Sequence, residues 1–412
     1  MSARRLHLFE GYGIELEYMI VGKKDLDVLP VTDKVIHAVS GTYESEIEQG
    51  PLNWSNELVL HVIELKTNGP APALEPLPDL FLSHIRTINR ILETVDGRLM
   101  PTAMHPWMDP LLETRLWPHD YSPVYEAYNR IFGCRGHGWS NLQSLHINLP
   151  FADDSEFGRL HAAVRLILPI LPALAASSPI VDGRFSGVMD TRLEFYRNNQ
   201  KIIPSLAGSV IPEPVFTKKE YERHILKQIY RDIKPYDHDR ILCHEWLNSR
   251  GAIARFNRYA IEIRVIDVQE CPLADLAIAA AVVALIKELI AETWGTVSAQ
   301  QAFPTERLAA LFLRAIKDAD TAVIDDPEYL RLFGWNNGSV CTAGELWMHL
   351  FSSKLSHTLD SMWTAPLEII LHEGPLSRRI VRFLGADPSR TSLSSCYRNL
   401  MECLDEGRLF RA

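Results

Sequence analysis

Apolar and polar positions alternate along residues 14–21, where Ile14, Leu16, Tyr18 and Ile20 are interleaved with Glu15 and Glu17 and Val21 closes the run. A period of two predicts a β-strand, with both glutamates on one face. Two carboxylates on one face of so apolar a strand repel each other unless water or a cation lies between them. A hard cation such as Mg²⁺ takes oxygen ligands and removes the conflict. The bland alternative is an edge strand with one wet face.

The same patterning orders the rest of the chain. Residues 35–39 read as a short helix and 41–56 as an acidic, turn-rich stretch. Residues 57–67 read as a strand stopped by Asn68-Gly69-Pro70. Phe81, Ile85, Ile88, Ile91 and Leu92 recur at helical spacing, which predicts a helix over 79–95 with Asp79 as its N-cap. Further strands are expected over 99–107, 142–151 and 259–268, and short or bent helices over 125–132, 155–177 and 218–233. Pro169 and Pro172 bend the second of these helices. Between them lie a glycine-rich turn, Gly133-Cys-Arg-Gly-His-Gly138, and a long loop over 179–214 carrying Arg184, Arg192 and Arg197. A loop of that length in a compact domain usually covers or lines a site. From Pro272 the pattern is helical to the end.

Strands with charge on alternate residues predict a sheet with one face against helices and the other facing a polar cavity. The expectation is an α+β fold: a curved, mainly antiparallel sheet, helices on its outer face and an open concave site face. The chain reads as a single catalytic domain over 1–412. Its sheet-bearing core is 1–271 and its helical C-terminal part is 272–412.

Composition narrows the class. Of 412 residues, 47% are hydrophobic and 23% charged, so the chain is globular. A formal net charge of -10 argues against nucleic acid as a partner, which requires a basic footprint. The six cysteines are scattered without Cys-x-x-Cys spacing, which fits free thiols in a reducing cytoplasm. No apolar run precedes the first strand, so no signal peptide is expected. The most apolar segment, 276–286, is followed at once by Lys287 and Glu288 and is too short to span a bilayer. It is expected to be core or an oligomer interface. The partners that remain are small molecules.

Further candidates for chemistry sit on the other strands. Glu57 and Glu64 lie in the 57–67 segment, so strict alternation separates their faces unless Glu57 belongs to the preceding turn or a bulge intervenes. Glu64 lies between Ile63 and Leu65, where a lone carboxylate is costly. His146 and Asn148 share one face of the 142–151 strand, and Glu262 and Arg264 one face of the 259–268 strand. Singly, each has an ordinary reading as a structural histidine or a surface ion pair. Together they are carboxylates and one imidazole without a thiolate, which suits Mg²⁺ or Mn²⁺ better than Zn²⁺. Arginines beside acids and a metal are what phosphoryl transfer uses. Neither a P-loop, a dinucleotide fingerprint nor a Gly-x-Ser-x-Gly elbow occurs.

The ordered segments Gly13-Ile-Glu-Leu-Glu17, Glu57-Leu-Val-Leu-His-Val-Ile-Glu-Leu-Lys-Thr67, Met104-His-Pro106, Leu145-His-Ile-Asn148, Leu174-Ala-Ala-Ser-Ser-Pro179 with Gly183 and Tyr196-Arg197, and Arg255 with Ala260-Ile-Glu-Ile-Arg-Val-Ile-Asp267 resemble the glutamate–cysteine ligases and related carboxylate–amine ligases of the glutamine synthetase-like superfamily. The likeness covers residues 11 to 270. The His strand departs from the His-x-His of many relatives, and the substrate loop lacks the usual Thr-Gly pattern.

The resemblance implies an ATP-dependent ligase that forms an amide through a γ-glutamyl phosphate. Cysteine is the default amine, as in glutathione biosynthesis. It implies metal ligation by Glu15, Glu17, Glu57, Glu64, His146 and Glu262. Arg264 and Arg255 take catalytic roles, and Arg197, Tyr196 and Asn148 bind substrate. ATP would be the co-substrate and Mg²⁺ or Mn²⁺ the cofactor. Two competing readings are a phosphagen-type guanidino kinase on the same fold and a nucleotide-binding pseudoenzyme.

Overall fold

A computed structural model describes residues 5–412. The expectation about the first residues therefore falls in part on residues 1–4, outside the described ones. The chain is organised around an eight-stranded sheet. Its strands are β1 (Gly13–Gly22), β2 (Glu46–Gln49), β3 (Leu52–Asn56), β4 (Val62–Thr67), β5 (Gly97–Met100), β6 (Ser144–Pro150), β7 (Ala252–Arg255) and β8 (Ala260–Asp267). They lie in the order β2-β3-β4-β1-β6-β8-β7, and β5 pairs the far end of β1. Every pairing is antiparallel and the sheet is open, as the α+β reading required.

The two faces of β1 explain the layers. Ile14, Leu16, Tyr18 and Ile20 are fully buried in the main core. They share it with Phe81, Ile85 and Ile88 of the helix Leu77–Leu92 and with the helix Pro272–Ile290. The latter helix is apolar all round, and such a helix has to be buried on all sides. It is core. The opposite face of β1 begins with Glu15 and Glu17 and continues with Met19 and Val21. These last two are fully buried in a second cluster with Met100, Ile380, Leu393 and Tyr397. The helices Leu376–Leu384 and Arg390–Glu406 therefore roof one end of the site face and leave the other end open.

Several local expectations are corrected. Residues 41–56 are not merely turns: β2 and β3 form a hairpin through Gly50, whose φ of +71° is the left-handed turn geometry glycine permits. β4 begins at Val62, so Glu57 lies in the loop before it. The helix expected from Asp79 starts at Leu77, which puts Asp79 in its first turn, where a carboxylate meets the positive end of the helix dipole. The strand expected over 99–107 ends at Met100. Beyond it, buried His105 ties loops together: Nε2 donates to the Leu26 carbonyl at 2.7 Å, and Nδ1 accepts from the amides of Trp107 and Met108 at 3.2 and 2.9 Å. The 179–214 loop holds the helix Thr191–Tyr196 and a short strand pair, Ile180–Val181 with Arg184–Phe185. The helical C-terminal third also holds a small pair, Val323–Ile324 with Cys341–Thr342.

Among the described residues, no helix is long and apolar enough to cross a membrane. All six cysteines are free thiols.

Candidate active site

Register across the sheet assembles the site. Glu15 stands opposite His146 on β6 and Lys66 on β4, Glu17 opposite Glu64, and Glu262 of β8 opposite Asn148. His146 is the hub. Its Nδ1 lies 2.9 Å from Glu15 Oε2 and 4.0 Å from Glu262 Oε1, and its Nε2 lies 3.9 Å from Glu17 Oε1. Two trios, Glu15–His146–Glu262 and Glu17–Glu64–His146, each place one ligand atom per residue within 4.8 Å of one another. Glu57 belongs to neither trio. It is half-buried in the loop before β4 and lines the adjoining cavity.

Supporting contacts orient these acids. Glu17 accepts from the amide and hydroxyl of Ser144 at 2.7 and 3.0 Å. Ser55 donates to Glu64 at 2.5 Å, and Asn148 to Glu15 at 2.9 Å. Glu262 is held between Arg255 Nη1 at 3.0 Å and Arg264 Nε at 2.9 Å. Lys66 Nζ reaches Glu64 at 3.0 Å and Glu46 at 2.6 Å.

The electrostatics follow from burial set against neighbours. Burial works against the charge on Glu262, but Arg264, His146 and Arg255 override it and hold this carboxyl below its usual range. Glu15 is likewise burdened by burial, yet lowered on balance by the hydrogen bond to His146. Burial raises Glu17. Burial, then the charges of Glu17 and Glu64, pushes Glu57 well above the carboxylate range. His146 is raised: burial opposes its charge, but the hydrogen bond to Glu15 and the charge of Glu17 prevail.

The acidic set opens into a cavity of about 600 Å³. Glu17, Glu57, His146, Tyr196 and Arg264 line it. Arg197 does not: it pairs with Glu194 through Nε at 2.9 Å and is partly exposed. The arginine that lines the cavity from the same loop is Arg192, which is 2% exposed. Its Nε is bound by Asp267 Oδ1 at 2.5 Å, its Nη1 donates to the Arg264 carbonyl at 3.3 Å, and its Nη2 has no partner. Asp267 also accepts from the Ser177 amide and the Ser178 hydroxyl, both at 2.8 Å. A buried carboxylate thus fixes a guanidinium at the cavity wall. Three arginines in one loop gave sequence reasoning no means of choosing among them. Lys66 was legible, since Glu64-x-Lys66 shares a strand face.

A wider hollow of about 880 Å³, edged by Trp107, His137, Asp182 and Arg390, holds none of the acidic set. The glycine-rich turn is explained by shape. Gly133 ends the helix Ser122–Phe132 in the left-handed conformation, and a Cβ on Gly138 would collide with Asn199.

A sequence model described as glutamate–cysteine ligase family 2 matches residues 12–331. The chain belongs to that family. A protein of Archaeoglobus fulgidus without a described activity is 37% identical over 281 residues, 68% of this chain and 75% of its own length. A Cupriavidus metallidurans protein named provisionally as a glutamate–cysteine ligase 2 is 30% identical over 190 residues, 44% of this chain and 46% of its own. The matches span about half the length of the relatives carrying that name. The fold is similar to that of a Francisella tularensis glutamate–cysteine ligase solved in complex with AMP. The TM-score is 0.56 at 12% identity, over 98% of this chain and 89% of the other. Glutamate–cysteine ligase family 2 is a family of ATP-dependent ligases that form amide bonds, the class expected from the ordered motifs.

Proposed function

We propose that this protein is an ATP-dependent carboxylate–amine ligase that activates the γ-carboxylate of glutamate and joins it to an amine. The observation that carries this reading is the pair of acidic trios around His146, with Arg255 and Arg264 on either side of Glu262. Five carboxyl groups (Glu15, Glu17, Glu57, Glu64 and Glu262) crowd together beside Lys66, Arg255 and Arg264, and burial with their mutual repulsion raises Glu17 and Glu57. Buried negative charge in excess is costly unless a cation offsets it. The donors are carboxylate oxygens and one imidazole nitrogen, which fits Mg²⁺ or Mn²⁺. Glu15, Glu17, Glu64, His146 and Glu262, with Glu57 from the cavity wall, would hold the ions. Bound divalent ions would offset the phosphate charge of ATP and draw it against the acyl donor.

The chain's own groups supply the rest. Arg264 stabilises the charge spreading over the transferring phosphoryl oxygens, and Arg255 holds the phosphates from the far side of Glu262. Arg192, the arginine of the 179–214 loop that lines the cavity, would bind the substrate's α-carboxylate. The γ-carboxylate oxygen attacks the γ-phosphorus and ADP leaves, giving an acyl phosphate. The amine nitrogen then attacks the acyl carbon, and phosphate departs. Cysteine is the default acceptor carried by the family name.

The test uses hydroxylamine as a small, unselective acceptor with ATP, Mg²⁺ and glutamate. The expected product is γ-glutamyl hydroxamate with stoichiometric ADP. A phosphorylated substrate without hydroxamate would instead assign a kinase, and no turnover of ATP would remove the enzyme reading.

A further inference from the structure

The 600 Å³ cavity has two sides of different chemistry. One is the acid-and-arginine side. The other is aromatic, built from Tyr121, Tyr125, Tyr128, Trp139 and Trp246 with Ile241. These rings brace one another. Tyr128 meets Trp139 edge-on at 5.4 Å and lies 6.0 Å from Trp246, while Phe132 stacks on Trp139 and His244 on Trp246, each at 5.5 Å. Tyr121 is 65% exposed, which marks where this side opens to solvent. Such a wall is pre-organised, and its ring faces stay wet until a flat apolar group covers them.

Three of the polar groups on this side are already engaged. Asn199 donates to the Gly138 carbonyl, Gln200 to Ser249 Oγ at 2.6 Å, and the Tyr125 hydroxyl accepts from Asn56 at 2.9 Å. The only carboxylates among the described lining residues are Glu17 and Glu57, both of the acidic set.

We propose that the acceptor is a primary amine bearing an aromatic ring, of the arylalkylamine class, with its ring against the Trp139–Trp246 wall and its nitrogen toward Glu57. This rests on the ligase reading and names its acceptor. Cysteine would leave most of the ring faces wet. A polyamine needs carboxylates for its distal ammonium, and the aromatic side has none. In this arrangement the nucleotide takes the Arg255 side of Glu262, since Arg255, Asn148, Glu15 and Glu262 do not line this cavity, and the KM for ATP of the wall variants tests that division. In the transfer step the amine nitrogen bonds to the acyl carbon, the carbon–oxygen bond to phosphate breaks, and the nitrogen's proton leaves with the departing phosphate.

The full chain, with ATP, Mg²⁺ and glutamate, is given hydroxylamine, phenethylamine, tyramine, tryptamine, cysteine and putrescine in turn, and amides are read by mass spectrometry. An arylalkylamine should have kcat/KM about tenfold or more above cysteine and putrescine. Trp246→Ala and Trp139→Ala should raise its KM about tenfold, the order expected from losing one aromatic contact and its buried area. Their KM for ATP and their rate of hydroxamate formation should stay within about twofold. Retained hydroxamate formation shows the variants folded, and Trp246→Leu serves if an alanine variant does not fold. Hydroxamate formation with cysteine or putrescine preferred overturns this inference and leaves the ligase reading intact. A raised KM for ATP in the Trp246 variants overturns it too, by making the wall the nucleotide seat. No hydroxamate at all removes the ligase reading and this inference with it.

Discussion

One face of one strand carries two chemistries. At the start of β1 that face presents Glu15 and Glu17, and a few residues on it presents Met19 and Val21. The first end is open to a cavity and crowded with acids. The second is roofed by the last two helices of the chain and fully buried. Both ends hold buried charge, but differently. Under the roof, Glu270 and Arg379 are both 0% exposed and matched one to one. Arg379 Nη1 lies 2.5 Å from Glu270 Oε1 and donates to the Phe410 carbonyl at 2.7 Å, while the Phe410 amide donates back to Glu270 at 3.2 Å. That pair is complete and ties the end of the chain to the segment after β8. At the open end the carboxylates outnumber the cations. Balanced buried charge reads as architecture, and buried charge left in excess reads as a seat for a cation.

The largest effect should come from removing an acid at the open end. Glu262→Gln is expected to lower ATP turnover by about a thousandfold or more, since it removes a ligand of the proposed metal ion and the charge that holds Arg255 and Arg264 in place, while thermal unfolding stays close to the parent's. Chelation of divalent ions should abolish turnover, with Mg²⁺ or Mn²⁺ restoring it. Near-normal turnover in the variant would end the metal assignment and with it the contrast between the two ends.

At the roofed end the effect should fall on stability. Arg379→Ala strands Glu270 without its partner and is expected to cost about 3–5 kcal/mol in denaturant unfolding, whereas replacing both residues with apolar ones of similar volume should cost much less. Specific activity of the folded fraction should change little. If Arg379→Ala left stability untouched, the pair would not be holding the roof in place.

The most gradual effect is a pH dependence. His61 and His105 are buried, and burial lowers them to about 4 and about 3 respectively. Both are neutral in the folded protein at neutral pH and titrate near 6.5 once unfolded. Between these values the unfolded chain binds more protons, so their contribution is complete above pH 6.5 and is lost as the pH falls toward 4 and 3. Each should add about 1.4 kcal/mol per pH unit to the loss in that window. Replacing His105 with Gln should flatten the slope, and an unchanged slope would show that its ring does not titrate in this way.

The site's acids were legible in the sequence because strand periodicity is local. Glu15 and Glu17, Glu64, His146 and Glu262 each announce their face by the apolar residues on either side. The four β1, β4, β6 and β8 segments were found, and so was the α+β class. What periodicity cannot carry is the partner of a loop residue. Arg197 and Arg192 lie in one irregular segment, and which of them reaches the cavity depends on Asp267, seventy-five residues from Arg192. The hairpin at Gly50 and the end of β5 at Met100 escaped for the same reason, since polar hairpins and loops fixed by a buried ring carry no hydrophobic period.

The sequence by itself determined which residues could form a charged face and the family to which the chain belongs. Only the tertiary structure decided that the face is divided. Helices from the far end of the chain cover Met19 and Val21 and stop short of Glu15 and Glu17. Burial is a property of what packs against a residue, and the pattern around the residue does not record it.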